Sequence, residues 1–290
     1  MTRWIALLAA ACASKSPAPP RAAIAPLSLA ADAHMIVIPA GRSIAGSTPE
    51  ERDAAYVDYE ATAKRDTARA NAWFDGETDR HVVTLPEFRI DLMPVTNAEY
   101  AELVAAGGAP APTIDAAAWS AQGFQQDYAT QVARFAWRDG RPPSGREDHP
   151  VVLVTWTEAA GYCAWRGTMR GEPRRLPTAD EYEKATRGSE GAVYPWGGTF
   201  DAAKLDSAVG GAGDTMPVGS YAAGASPLGV LDLAGNVFEW TATPFRGGPK
   251  MTVKGSAWDD FAGVGRGASG HGRAKTIRHA IVGFRCAADG

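Results

Sequence analysis

The chain opens on Trp4-Ile5-Ala6-Leu7-Leu8-Ala9-Ala10-Ala11, an apolar run behind Arg3. It is shorter than the ~20 residues a membrane-spanning helix needs, so residues 1–12 read as an export signal. Hydrophobic patterning lapses through the Ala- and Pro-rich residues 13–33, which have little to bury and read as a solvated tether. It resumes at Met35-Ile36-Val37-Ile38, a short strand closed by Pro39 and Gly41. Thr48-Pro49-Glu50-Glu51 then starts a helix in which Tyr56, Tyr59 and Ala63 share a face. From His81 to Ile90 a weak alternation (Val83, Leu85, Phe88, Ile90) predicts one strand. Thr96, Thr155 and Thr178 each stand three residues before a Glu, and these capping boxes predict three more helices. Gly107-Gly108 stops the first of them and Gly188 the third. Between the first and second, Ala109 to His149 is polar and Pro-rich and reads as a long surface loop. Trp119 or Trp137 in it would serve as a sugar-binding platform. Beyond Gly188 helix signals fade, and short strands are expected at Val237–Trp240, around Val253 and at Ile281–Cys286. No repeat or linker divides residues 34–290, which read as one domain.

Composition refines this picture. Nine Trp among 32 Gly and 20 Pro point to a loop-rich fold pinned by aromatic packing. A net charge of −4 provides no basic field for nucleic acid or an anionic membrane. Cys12 follows small residues as in a bacterial lipoprotein signal, which would make it the lipidated N-terminus. Membrane contact would then run through that lipid alone, at the periplasm or cell envelope; a plain cleaved signal is the alternative. Only Cys163 and Cys286 remain. An oxidising compartment permits a disulfide between them, worth about 4–5 kcal/mol in the chain-entropy account; two buried free thiols are the alternative.

Several phrases then recur in a fixed order. They are Pro94-Val95-Thr96-Asn97-Ala98-Glu99-Tyr100, His149-Pro150-Val151-Val152, Tyr162-Cys163-Ala164-Trp165 and Arg175-Leu176-Pro177-Thr178-Ala179-Asp180-Glu181-Tyr182-Glu183. Tyr194-Pro195-Trp196-Gly197, Gly235-Asn236-Val237-Phe238-Glu239-Trp240 and Gly283-Phe284-Arg285-Cys286 complete the set. Across residues 35–288 this set resembles the formylglycine-generating-enzyme, or sulfatase-modifying-factor, family. The resemblance implies an α+β fold, compact and C-type-lectin-like, with much irregular structure. It implies a Cys163–Cys286 disulfide. It also implies bound calcium, held by Asp232, the carbonyls of Gly235 and Val237, and Glu239. A weaker second site would use Asp206 and Ser207, with Asp214 as a substitute ligand. Carboxylate and carbonyl oxygens suit this hard cation.

The pattern breaks at the catalytic position. Members that generate formylglycine hold copper through two cysteines after a G-G-S-W-like phrase. Here the phrase is Lys254-Gly255-Ser256-Ala257-Trp258, and the cysteine positions fall on Asp259 or Asp260 and on Val264 or a neighbouring Gly. Carboxylates do not replace thiolates for Cu(I), which argues against copper. Asp259, Asp260, His271 and His279 are the candidate catalytic residues, and two His with a carboxylate would leave room for iron. Relatives that use iron, however, bring histidines from an additional helical domain. His271 reads as part of an exposed glycine-rich loop, and Asp259-Asp260 with Arg266 and Arg273 as a polar pocket floor; His34 and His81 read as having no chemical role. Two functions follow. One is a calcium-stabilised binding module for an envelope protein, peptide or glycan. The other is a metal-dependent oxidoreductase of non-haem iron type.

Overall fold

The computed structural model describes residues 35–124 and 126–290. The expected export signal, Cys12, the tether and His34 lie outside the described residues. Met35–Ile38 forms β1 and Gly41–Ala45 forms β2. The four Thr-x-x-Glu signals at Thr48, Thr96, Thr155 and Thr178 each cap a helix. In α1 (Pro49–Ala63) the Thr48 hydroxyl accepts from the Glu51 amide, and the Glu51 carboxylate accepts in return from the Thr48 amide. A one-turn helix α2 (Thr67–Ala70) follows.

The single strand expected from His81 to Ile90 is two strands in different sheets. These are β3 (His81–Leu85), paired with β2, and β4 (Phe88–Asp91), paired with β1. Pro86 separates them: it has no N–H to continue a ladder. Helix α3 (Asn97–Ala105) repeats the reciprocal cap.

The stretch read as a surface loop is partly helical and packs inward. It contains α4 (Ala116–Ala121), capped by Asp115, and a π-helical turn, Tyr128–Val132, that runs into a 3₁₀ turn, Ala133–Phe135. Trp119 is 2% exposed and Trp137 4%. The Trp119 indole donates to the Gln126 carbonyl and the Trp137 indole to Asn97 Oδ1. Neither ring is a platform for sugars; both are core.

Helices α5 (Trp156–Arg170) and α6 (Ala179–Arg187) complete the capped set, and α6 ends on Gly188 as expected. The rest is strand and turn: β5 (Phe238–Pro244), β6 (Met251–Lys254), β7 (His271–Arg273), β8 (Val282–Gly283) and β9 (Ala287–Asp289). The sheet orders are β1-β4-β9, β2-β3 and β7-β6-β5-β8, and only the β5–β8 pairing is parallel. Strand β7 was not expected, and it takes His271 out of the exposed loop assigned to it.

The main core packs α3 and α5 against β5. Tyr100 and Tyr162 stack with centroids 5.6 Å apart, Phe284 meets both edge-on, and Trp240 is fully buried. Burying each such side chain stabilises by about 1.5–3 kcal/mol. Cys163 and Cys286 are disulfide-bonded, joining α5 to the segment leading into β9. A second apolar cluster joins Trp119, Val132, Phe135, Leu153 and Ala280, so the former loop forms one wall of the region described next. No helix among the described residues is long and apolar enough to cross a membrane.

Candidate functional site

The segment after β6 turns at Gly255, whose φ of 81° favours glycine. It is then fastened on two sides. Ser256 Oγ accepts from the Gly235 amide, and the Trp258 amide donates to the Asn236 carbonyl. Asp260 closes the turn: its Oδ2 accepts from the Ala257 amide at 2.8 Å, and its carbonyl accepts from Ala208 N. The Ser256 and Asp260 side chains are spent on holding the loop, and those of Trp258 and Asp259 are not.

Those side chains are poorly satisfied. Asp259 Oδ1, Trp258 Nε1, Arg273 Nε and His271 Nε2 are all buried without a hydrogen-bond partner. Burial pushes the Asp259 carboxyl up to about 6. Asp260 rises to about 8, first through burial and then through the charge of Asp259. Burial lowers Arg273, against the pull of both carboxylates. Among the described residues the side chain of Arg273 donates only to the carbonyl of its own neighbour Gly272, at 3.4 Å. Residues brought together only by folding thus carry charges with no ion-pair geometry between them, which is costly in a partly buried setting.

The predicted pocket floor holds in part. Arg273 faces Asp259 and Asp260, but Arg266 does not: it is buried in an ion pair with Glu77. The glycine-rich stretch beyond is not a mobile loop either. At Gly263 (φ 87°) a Cβ would stand 2.4 Å from the Ala55 carbonyl, so glycine lets the backbone close onto α1.

The two histidines do different things. His271 sits in β7 with its ring edge-on to Trp73 and Phe238, and burial lowers its pKa to about 3. His279 is wedged between Trp119 and Phe124, and its Nδ1 faces the Ile281 amide at 3.3 Å. Burial lowers its pKa to about 3 as well, so both rings are neutral near pH 7. Among the described residues, no three His, Cys, Asp or Glu side chains gather where they could hold a metal ion. The two-histidine, one-carboxylate arrangement expected from the composition is therefore not assembled. No free thiol is present among the described residues, since Cys163 and Cys286 are paired.

A small cavity of about 10 Å³, room for about one water, lies beside this loop. Trp119, Val132, His279 and Ile281 wall it, and Trp258 and Asp259 reach it from the loop. Its first wall escaped sequence reasoning because the Asp115 cap precedes only Ala116-Ala117-Ala118, with no apolar periodicity before Trp119. The cap itself was the available signal.

At the main expected calcium site the principal carboxylate already has a cation. Glu239 Oε2 accepts from Arg285 Nε at 2.7 Å, and Oε1 accepts from Arg285 Nη2 at 2.8 Å and from the Tyr182 hydroxyl at 3.0 Å. Both ion-pair side chains are 0% exposed. Asp232, in the left-handed region at φ 52°, accepts from the Gly219 amide, and burial raises its pKa to about 6. Gly235 packs against Asp206, whose carbonyl would stand 2.4 Å from an added Cβ, and Val237 is buried. At the weaker site the Ser207 hydroxyl accepts from Val209 N. Asp214 is paired with Arg146 and Arg134. Asp206 differs: its Oδ2 is buried without a partner, and burial lifts its pKa to about 7.

Comparison with known proteins bears on all of this. The profile of the sulfatase-modifying factor enzyme 1-like domain matches residues 22–290. The chain is 34% identical over 254 residues to the inactive C-alpha-formylglycine-generating enzyme 2 of Bos taurus, covering 73% of this chain and 81% of that protein. It is 38% identical over 190 residues to a hercynine oxygenase of Mycolicibacterium smegmatis, covering 61% of this chain. That match spans 42% of the oxygenase's length. Among solved structures, PvdO from Pseudomonas aeruginosa aligns with a TM-score of 0.67 and 23% identity, over 88% of this chain and 94% of that one, a likeness of fold. The chain belongs to the sulfatase-modifying factor enzyme 1-like family and carries its fold.

Proposed function

We propose that this chain is a binding module of its family, not a generator of formylglycine. It would recognise a peptide, glycan or protein partner at the loop that carries Asp259. The observation that carries this is the absence of a thiol where thiolate chemistry would occur: no cysteine lies between Cys163 and Cys286, Asp259 or Asp260 and Val264 or a neighbouring Gly stand at the expected positions, and those two cysteines are bound to each other. Cu(I) takes soft thiolate ligands, and a carboxylate with an aliphatic side chain does not substitute for them. A relative named as an inactive formylglycine-generating enzyme, matched over 81% of its length, is consistent with loss of that chemistry on a retained fold. The test supplies a cysteine-containing sulfatase-type peptide with copper and O₂, followed by mass spectrometry. The peptide stays unchanged; conversion of its cysteine to the aldehyde would end this reading.

Calcium belongs to the proposal as a stabiliser. Asp206 is the carboxylate that fits it, with one buried oxygen open, whereas Glu239 is already neutralised by Arg285. The export signal, the lipidated Cys12 and the envelope location are part of the same reading. A disulfide in the fold supports an oxidising compartment.

A second reading, an iron-dependent oxidoreductase, draws on the likeness to hercynine oxygenase. Asp259, Asp260, His271 and His279 do not gather into a ligand set among the described residues, so iron would need ligands from elsewhere. Elemental analysis of purified protein separates the two readings: calcium alone favours the binding module, and stoichiometric iron favours the oxidoreductase.

A further inference from the structure

We propose that the Asp139–Gly140 step is a site of spontaneous covalent modification, at which the folded chain converts aspartate to isoaspartate. The chain carries three Asp-Gly steps, at 75–76, 139–140 and 289–290. Each offers the same chemistry. The glycine amide nitrogen attacks Cγ of the aspartic acid side chain, and a carboxyl oxygen leaves as water. Water then opens the cyclic imide. Addition at Cγ restores aspartate. Addition at the main-chain carbonyl carbon leaves the glycine attached through the side chain, which adds a methylene to the backbone. One water leaves and one returns, and no oxidant or other reactant is needed.

The fold separates the three. Asp75 is held: its Oδ1 accepts from the Tyr56 hydroxyl at 2.7 Å. The Arg246 guanidinium lies against Gly76, where a Cβ would stand 1.2 Å from Nη2. Asp289 is held too. Its Oδ1 accepts from Arg175 Nε at 3.1 Å and Nη2 at 2.7 Å, and the Gly290 amide, the attacking group, donates to the Glu87 carbonyl. At the middle step neither reactant is engaged among the described residues. Asp139 and Gly140 are exposed, the Asp139 carboxylate has no hydrogen bond or ion pair, and the Gly140 amide has no acceptor. No atom lies within 4 Å of the place a Gly140 Cβ would take.

The middle step is also loosely held. Asp139 (φ 50°) and Gly140 (φ 72°) are the central residues of a tight turn with both φ positive, as in type I′. Arg138 and Arg141 close it with two backbone hydrogen bonds, of 3.1 and 2.9 Å, and this isolated bridge extends into no ladder. The two arginines stand opposite each other, exposed and without carboxylate partners among the described residues, and like charges so placed weaken the pairing. A turn closed by so little opens locally, at much lower free energy than the core unfolds. Opening frees the backbone rotation that ring closure needs. Trp137, bonded to Asn97 and to the Pro112 carbonyl, bounds the opening on the inner side.

The experiment ages the full chain at neutral pH, folded and, in parallel, unfolded in guanidinium chloride. Isoaspartate is read at each step by electron-transfer mass spectrometry of the proteolytic peptides. The unfolded chain gives the intrinsic yield of each step, so the ratio of folded to unfolded yield isolates what the fold does. That ratio is several-fold higher at Asp139 than at Asp75 or Asp289. Equal ratios at the three steps, or a ratio at Asp139 as low as at the other two, would overturn the proposal. Asp139→Glu keeps the charge but lengthens the side chain, so the same ring does not form. The variant, with folding checked by near-UV circular dichroism, loses most of the isoaspartate that an enzymatic methyl-transfer assay counts in the aged folded chain. An unchanged count would place the modification elsewhere and overturn the assignment to Asp139.

Discussion

The four-stranded sheet carries two carboxylate–arginine groups and treats them oppositely. In β5, Glu239 meets Arg285 through two hydrogen bonds, and Tyr182 supplies a third. Arg285 spends its remaining donors on the carbonyls of Asp91, Leu92, Leu231 and Asp232. On the other side of β6, Arg273 in β7 faces two carboxylates and pairs with neither. The first group is a finished buried network, which rigidifies the core it sits in. The second leaves donors and acceptors unspent beside a small cavity. Unspent groups of this kind are what a binding site sets aside for its ligand, at some cost to the stability of the free protein.

Breaking the finished group has the largest expected effect. Arg285→Met leaves Glu239 buried with its charge uncompensated, and the loss should be about 3–5 kcal/mol, read as a fall in urea midpoint. A smaller loss would mean that something other than Arg285, calcium for example, neutralises Glu239.

How much of this contrast could be read from the chain depends on the type of residue. The helices were legible because Thr48, Thr96, Thr155 and Thr178 act locally: each cap is complete within four residues. The Cys163–Cys286 bridge was legible from the family phrases and the compartment together. Residues whose role depends on distant partners were not. Arg285 lies 46 residues from Glu239, and no local pattern announces that the two pair. His271 was misplaced because Gly270 and Gly272 suggest a flexible loop. In the fold, a Cβ at Gly272 would strike the Phe245 ring, so that glycine permits close packing around a three-residue strand. Trp119 was taken for a surface residue because one aromatic within an Ala-rich turn makes no periodic pattern.

A pH profile sharpens the contrast from the unfinished side. Asp259 and Asp260 titrate near 6 and 8 in the fold, against about 3.9 in an unfolded chain. Between about pH 4 and 8 the native state therefore holds protons that the unfolded state has lost, and the pair's contribution to stability falls as pH rises through that window. Asp91, Asp206 and Asp232 are raised in the same direction, while His271 and His279 act in the opposite sense below about pH 6.5. Comparison with Asp260→Asn cancels these shared contributions. The variant should lose less stability than wild type between pH 5 and pH 8 by urea denaturation. Parallel profiles would mean that the pair does not titrate in this range.

The central claim is that Asp259 is held in reserve for a ligand and has no structural partner. Its most direct test is the urea midpoint of ligand-free Asp259→Asn beside wild type at pH 8, where the buried carboxylate is ionised in the native state. The account predicts a variant at least as stable as wild type, by up to about 1 kcal/mol, since a partly buried charge without a partner has been removed. A loss of about 1 kcal/mol or more would contradict it, because Asp259 would then be contributing to the fold as Glu239 does.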